Sequence, residues 1–197
     1  MQNLFKTNHR AHDFTSKNSI LFPPPPDKCP FGNCKVPVRL KKHGFYLRYH
    51  ISLDFSGIIF IRRYICPVCG RTVSFLPMFA LQKFTYSAVD ILEILFDFYS
   101  SGLSLSKFEH IAARRFTSMT RRHVNFYRKR LVRNRRLIQY VLNLIYPECS
   151  PLSSIPDNQI WVITFLGEVN MKGSQAFHFE FSNIAGRSFM TSDNMVA

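Results

Sequence analysis

The sequence predicts an α+β protein: a small β unit over residues 27–80, a helical unit over 84–147, and a C-terminal extension over 150–197 containing two short strands. Three observations lead there. Apolar residues alternate with polar ones at a spacing of two between Cys29 and Leu76, and after Tyr86 the spacing changes to three and four. A run of four prolines at 23–26 cannot continue a helix and forms a stiff spacer ahead of the first compact unit. With 197 residues, 46% hydrophobic and 15% aromatic, the chain can bury a core and is not disordered by composition.

Residues 1–22 are polar and basic with no sustained period, so 1–26 is read as a flexible tail and proline linker. In the β unit, Phe45, Leu47, Tyr49 and Ile51 alternate with Tyr46, Arg48, His50 and Ser52, the pattern of a strand with two different faces. Asp54, Phe55, Ser56 and Gly57 carry the composition of a turn. The β-branched and aromatic run over 58–65 should pair back on the first strand, and 71–76 adds another. In the helical unit, Ser87 is placed to cap a helix that presents Val89, Leu92, Leu95, Phe96 and Tyr99 and stops at Gly102. Ser106 and Glu109 suit a capping box for a second helix through Arg115, with Phe108, Ile111 and Ala112 inward. Thr120 caps a third helix with Val124, Tyr127 and Leu131 on one side, which can run on to the stop at Pro147. Strands are expected at 160–166 and 176–181, in a β appendage or the start of a further domain.

Four of the five cysteines form two pairs, Cys29 with Cys34 and Cys66 with Cys69. Thiolates are soft, charged ligands, and zinc accepts four of them in a tetrahedron. Two cysteines a few residues apart can reach one ion from a tight turn, and Gly70 supplies backbone freedom for the second turn. The intervening strands bring the pairs together, the layout of a zinc ribbon. A core this small gains from a structural metal. Four protein ligands leave no place for a bound water, so the expected Zn2+ is structural and not catalytic. His43 and His50 lie between the pairs; either could replace a cysteine as a ligand, and both are read first as packing or solvent-facing residues. Cys149 is read as a spare thiol.

The formal net charge is +14, which points to a polyanionic partner. Residues 107–136 hold 11 Lys or Arg against one acid, Glu109, so +10 of that charge is local. Two short helices joined by a brief turn, the second one basic, make a helix-turn-helix pattern. The start of the second helix would then enter the major groove of double-stranded DNA with Thr120, Arg121, Arg122, His123 and Asn125. Arginine can pair with guanine and asparagine with adenine. Arg128, Lys129, Arg130 and Arg133 lie further along and suit phosphates. Exposed aromatics such as Tyr46 or Phe126 have the shape to stack on single-stranded bases.

The two cysteine pairs, the stretch from His43 to Arg48, the stretch from Ile61 through Cys66, Cys69, Gly70, Arg71 and Thr72, and then Leu76 and Pro77, resemble the transposon-associated zinc-ribbon proteins of bacteria. These resemble the N-terminal parts of insertion-sequence transposases, a zinc ribbon followed by a helix-turn-helix. The resemblance covers Cys29 to Arg136 and places the metal role on Cys29, Cys34, Cys66 and Cys69. It implies DNA binding at the ends of a mobile element, with a transposase catalytic subunit or a second copy of the chain as protein partner.

The chain has 12 acidic residues. Asp90, Glu93 and Asp97 recur as a regular helical stripe, and Glu148, Asp157, Glu168, Glu180 and Asp193 follow on a short stretch. Neither forms the carboxylate set that metal-assisted DNA cleavage requires. No phosphate-cradling glycine loop or nucleophile motif is present, so no catalytic role is expected. No run approaches the ~18 apolar residues of a membrane span, and no signal core opens the chain. The expected location is the cytoplasm of a bacterium, on the nucleoid. The alternatives to the mobile-element reading are a freestanding transcriptional regulator and a zinc ribbon that binds RNA or protein.

Overall fold

The computed structural model describes residues 1–34, 37–116 and 118–191. The chain is mixed α+β and divides into two compact units, Met1–Thr85 and Tyr86–Ala197.

The first unit is built on a four-stranded sheet of β1 (Gln2–Phe5), β2 (Lys41–Ser52), β3 (Phe55–Ile65) and β4 (Thr72–Pro77), in the order β1-β4-β3-β2. Strands β2 and β3 form a long antiparallel hairpin in which Ser52 pairs with Phe55. The turn is therefore Leu53–Asp54 and not 54–57, and Gly57 lies in β3. The Ser52 hydroxyl donates to Asp54 Oδ1 at 2.7 Å, so the side chains close the reversal without a glycine. A register shift between Lys42 and Phe45 is absorbed at Gly44, whose φ of +89° suits the residue that lacks a Cβ.

The first 22 residues are not a loose tail. Gln2–Phe5 pairs in parallel with β4, and the Gln82 amide donates to the Gln2 carbonyl at 2.7 Å. Ala11–Thr15 and Ser19–Leu21 form short 3-10 turns. Phe14 is fully buried and meets Phe22 at 5.3 Å and Phe79 at 5.5 Å, both edge-on. The proline run that follows is tied down by Tyr64, whose hydroxyl donates to the Pro23 carbonyl at 2.5 Å. Four strand residues and scattered aromatics lack a readable period, but burial of those rings supplies the ordering free energy.

In the middle of β2 the polar residues Arg48 and His50 face inward, and Ile51 is buried beside them. Leu47 and Tyr49 are exposed, paired with Phe60 and Ile58, while His50 is buried and Arg48 donates to the carbonyls of Leu81 and Phe84. Those carbonyls lie three residues apart in the loop after β4, and one guanidinium can bridge both. His50 packs against Phe79 at 5.1 Å and stacks on Phe55 at 6.2 Å.

The second unit contains α1 (Ala88–Ser101), α2 (Leu105–Arg115), α3 (Arg121–Arg133), α4 (Arg135–Ile145), α5 (Asn158–Lys172) and α6 (Ser174–Ala185). Ser87 caps α1 by accepting from the Asp90 N–H at 3.1 Å, and Gly102 ends it at φ +64°. Helix α1 touches α2, α3, α5 and α6, so it is buried around more of its circumference than one apolar stripe would cover. Ile91, Ile94 and Phe98 join Leu92 and Leu95 in the core, while Val89, Phe96 and Tyr99 are half-buried.

The strands expected at 160–166 and 176–181 are helices α5 and α6. Asp157 caps α5 by accepting from the Ile160 N–H at 2.8 Å. Trp161, Val162, Phe165, Leu166 and Val169 are its buried face, spaced four apart, and Trp161 stacks on Phe165 at 5.1 Å. Short runs rich in β-branched and aromatic residues fit either period, and packing against α1 decides it. The C-terminal residues thus complete the helical core and are not an appendage.

Two predictions follow from the first unit. Phe14→Ala should lower its stability by about 3–5 kcal/mol, read from the urea midpoint of unfolding; an unmoved midpoint would restore the picture of a loose N-terminus. Burial, with Arg48 adding to it, pushes the His50 imidazole down to about 4. An unfolded histidine takes its proton near 6.5, so the contribution is complete above that pH. It is lost as pH falls toward 4 and amounts to about 3 kcal/mol. NMR titration should show the His50 ring still neutral at pH 5; a midpoint near 6.5 would contradict its burial.

Candidate metal centre and basic helix face

The two ligand arms come from different places in the first unit. Cys29 and Cys34 lie in the segment before β2, where the Cys34 N–H donates to the Phe31 carbonyl at 2.8 Å. Cys66 and Cys69 lie in the turn that joins β3 to β4. There the Gly70 N–H returns to the Cys66 carbonyl at 3.0 Å, and Gly70 adopts φ +68°. The antiparallel pairing of Ile65 with Thr72 holds the base of this turn closed.

The four sulfur atoms lie within 4.8 Å of one another. Cys29 and Cys69 approach to 3.8 Å and Cys34 and Cys66 to 3.7 Å. A disulfide needs about 2.05 Å, so neither pair is bonded. A Zn–S bond of about 2.3 Å puts tetrahedral sulfur atoms about 3.8 Å apart, so the observed separations fit a four-thiolate ion site. No His, Asp or Glu joins this cluster among the described residues: His43 is exposed and His50 is in the core.

The surroundings favour thiolate at one corner. Hydrogen bonds from the backbone N–H groups of Cys69 and Val68 bring the Cys66 thiol down to about 7, while burial pushes the Cys29 thiol up. The cluster sits on a small core of Leu40, Tyr64 and Val73, with Val38 and Phe75 against it. Arg71 ties the two arms together. Its guanidinium donates to Asn33 Oδ1 at 2.8 Å and lies over the Phe31 ring at 5.3 Å. The sequence contained Arg71 next to the second pair, but nothing in its spacing announced the partner 38 positions away. Cys149 is not part of the cluster; it is buried in the second unit, donates to Glu168 Oε2 at 3.6 Å, and burial raises its thiol.

Among the sequence-selected basic residues, α3 carries a continuous exposed stripe. Arg122, Phe126, Lys129 and Arg133 are all exposed, and their spacing of four, three and four puts them on one face. Val124, Tyr127 and Leu131 are buried on the other face, as the spacing predicts. Arg122, Lys129 and Arg133 make no hydrogen bond or ion pair among the described residues.

The other selected residues are partly engaged. Thr120 is the N-cap of α3, its backbone N–H donating to His123 Nδ1 at 3.1 Å. Arg121 gives its backbone N–H to Glu109 Oε1 at 3.1 Å and its guanidinium to the Ser106 hydroxyl at 3.5 Å. Asn125 accepts from Arg128 at 3.1 Å. Arg130 donates to the Met190 carbonyl at 3.0 Å and covers the Phe126 ring at 4.6 Å. Of the aromatics, Phe126 is exposed, whereas Tyr46 is half-buried, accepts from Gln2 and lies under Arg63.

Three local expectations are corrected. Ser104, not Ser106, is the N-cap of α2, and Glu109 serves the first N–H of α3 in place of a capping box. Ile111 is largely exposed while Phe108 and Ala112 are buried. The third helix does not run to Pro147 unbroken: it is interrupted at Asn134, whose buried amide donates to the carbonyls of Phe189 at 2.6 Å and Thr191 at 3.1 Å. That capture of C-terminal backbone is a long-range event that local periodicity does not carry. The acidic stripe on α1 is engaged within the unit and is not a free solvated face: Asp90 is buried beside Ser87, and Arg115 bridges half-buried Glu93 and exposed Asp97.

Comparison of the chain with family models, curated proteins and solved structures returns no match.

Cys66→Ser should abolish stoichiometric metal retention and lower the cooperativity of unfolding of the first unit. Metal analysis of the purified variant checks this, and a full metal complement in it would disprove the four-thiolate site.

Proposed function

We propose that this protein is a zinc-stabilised DNA-binding protein in which α2 and α3 act as a helix-turn-helix on duplex DNA. The observation that carries the reading is the exposed stripe of Arg122, Lys129 and Arg133 on α3, free of acidic partners among the described residues, in a chain of net charge +14. Ion pairs quench surface cations elsewhere in this unit, as at Arg115 and Lys172. Cations left unpaired on one helix face match a phosphate polyanion.

Zinc is the ion proposed for the cluster. Four soft thiolates within 4.8 Å of one another suit Zn2+, and four protein ligands would give it a structural role. Its bound form would fix the two cysteine arms and the small core beneath them.

Arg122, in the first turn of α3, is the proposed base-reading residue, since it is exposed and its fork is available for a guanine edge. Asn125 is committed to Arg128 and would read an adenine after a rotamer change. Lys129 and Arg133 are proposed to contact phosphates. The resemblance to transposon-associated zinc-ribbon proteins favours a role in a mobile element, with the element's ends as the DNA and a catalytic subunit or second copy as partner. A bacterial cytoplasmic, nucleoid-bound location accompanies that proposal. Among the described residues no helix is long and apolar enough to cross a membrane.

Phe126, exposed in the middle of the stripe, favours a second reading in which α3 binds single-stranded nucleic acid by stacking. Selection from random duplexes alongside single-stranded RNA separates the two. Enrichment of a duplex sequence supports the first reading, and preference for single strands the second. Arg122→Ala should weaken the selected duplex by about 1–3 kcal/mol and relax preference at one base position; an unaltered affinity and sequence preference would remove Arg122 from the reading face.

A further inference from the structure

The interruption between α3 and α4 opens a cleft of about 730 Å³ lined by Arg133, Arg135, Arg136, Gln139, Ser153 and Asn158, with Val132 the one apolar wall. Cavities of this size usually take ligands through mostly apolar linings. Among the described residues its lining gathers three arginines and no carboxylate. Like charges held in one recess repel, and an anion placed among them removes that cost.

The recess is firm on one side and open on the other. Arg135 is pinned: its guanidinium donates to Asn158 Oδ1 at 2.8 Å and to the Pro156 carbonyl at 3.2 Å, reaches the Ile155 carbonyl, and lies over the Trp161 ring at 5.2 Å. Gln139 is buried, accepting from Trp161 Nε1 at 2.9 Å and donating to Asn143 Oδ1 at 2.6 Å. Arg133 and Arg136 are exposed and make no hydrogen bond or ion pair among the described residues.

We infer that this cleft is a phosphate clamp, in which Arg133 and Arg136 grip backbone phosphates of nucleic acid running along α3. The inference rests on the nucleic-acid reading of α3 and adds a site to it. Two features favour a polymer over a free phosphate compound. Arg133 belongs both to the exposed stripe of α3 and to the cleft. A neighbouring cleft of about 320 Å³, with Arg128 and Lys129 in its lining, shares Val132 and Asn158 with the first. Adjoining cationic recesses that share a wall suit successive phosphates on one strand. Guanidinium forks bind phosphate oxygens in pairs and read no base, so the clamp sets register and affinity without sequence preference.

The test is the double variant Arg133→Ala/Arg136→Ala in the full chain, with Arg133→Lys/Arg136→Lys as a charge-retaining control. Binding of a random-sequence duplex is followed by fluorescence anisotropy across a salt series, with far-UV circular dichroism to check folding. The slope of log K against log salt should become shallower by about 2, since each lost phosphate contact removes roughly 0.9. The lysine control should keep the wild-type slope, and base preference should be the same in all three proteins. A wild-type slope in a folded alanine variant overturns the clamp and removes Arg133 from the phosphate contacts of α3, leaving Arg122 and Lys129 to carry DNA binding. A wild-type protein that binds neither duplex nor single strand defeats the nucleic-acid reading and the clamp together. In that case isothermal titration with tripolyphosphate, lost in the alanine variant, would reassign the cleft to a free phosphate ligand. Single-strand binding with the same loss of slope would keep the clamp and change its polymer.

Discussion

Four thiol groups crowded onto a core of a few side chains are the constraint around which the first unit is arranged. Sulfur atoms 3.7 to 3.8 Å apart are too far for a disulfide and, once ionised, too close to sit together without a cation. The apolar cluster beneath them, Leu40, Tyr64 and Val73, is too small to hold two loops in register by burial alone. A metal ion held by all four sulfur atoms would make the loop before β2 and the turn after β3 one object. Arg71 and Asn33 repeat the connection with a hydrogen bond across the same gap. At the far end of the sheet the constraint is different in kind. There the rings of Phe14, Phe22 and Phe79 pack edge to face, and Arg48 donates to two carbonyls of the loop after β4.

The second unit distributes its charges by burial and pairing. Helix α1 is enclosed by four others, and its acidic residues are used internally, Asp90 at the cap and Glu93 with Asp97 on Arg115. Acidic side chains elsewhere are similarly engaged: Glu109 on the first N–H of α3, Glu148 on Lys172, Asp157 on the first turn of α5. Most of the described acids of this unit are thus spent on caps and on Arg115 and Lys172. The positive field over α3 and the α3–α4 corner follows from where the negative partners went as much as from where the arginines are.

What could be read from the sequence was what is decided locally. Cys66 and Cys69 declare a ligand turn within four residues, and Ser87, Gly102 and Thr120 declare helix ends because caps act on the nearest N–H and carbonyl groups. Val124, Tyr127 and Leu131 were legible for the same reason: one helix face has one period. Local slips such as the N-cap at Ser104 shift an element by a residue or two, whereas the misreadings that change its type are long-range. Gln2–Phe5 is a strand because β4 offers it an edge, and α5 is a helix because α1 offers its apolar face a place. Asn134 interrupts a good helical pattern because carbonyls more than fifty positions later need a donor. His50 and Arg48 point inward because the loop over 77–85 covers that side of β2, which strand alternation alone leaves undecided.

The parallel pairing of β1 with β4 has a consequence for how this chain comes to be folded during synthesis. Gln2 finds its sheet neighbour at Ser74, and the amide that holds its carbonyl is 80 positions away at Gln82. Residues 2–5 must therefore wait, unpaired, until β3, the cysteine turn and β4 have all emerged. The hairpin of β2 and β3 needs no such delay, since its partners are neighbours in the chain. Loop-closure entropy sets the same order in refolding from denaturant: hairpin early, amino-terminal strand last. During that interval the edge of β4 stands open, and it is the place where a nascent chain of this kind is most vulnerable to pairing with another copy.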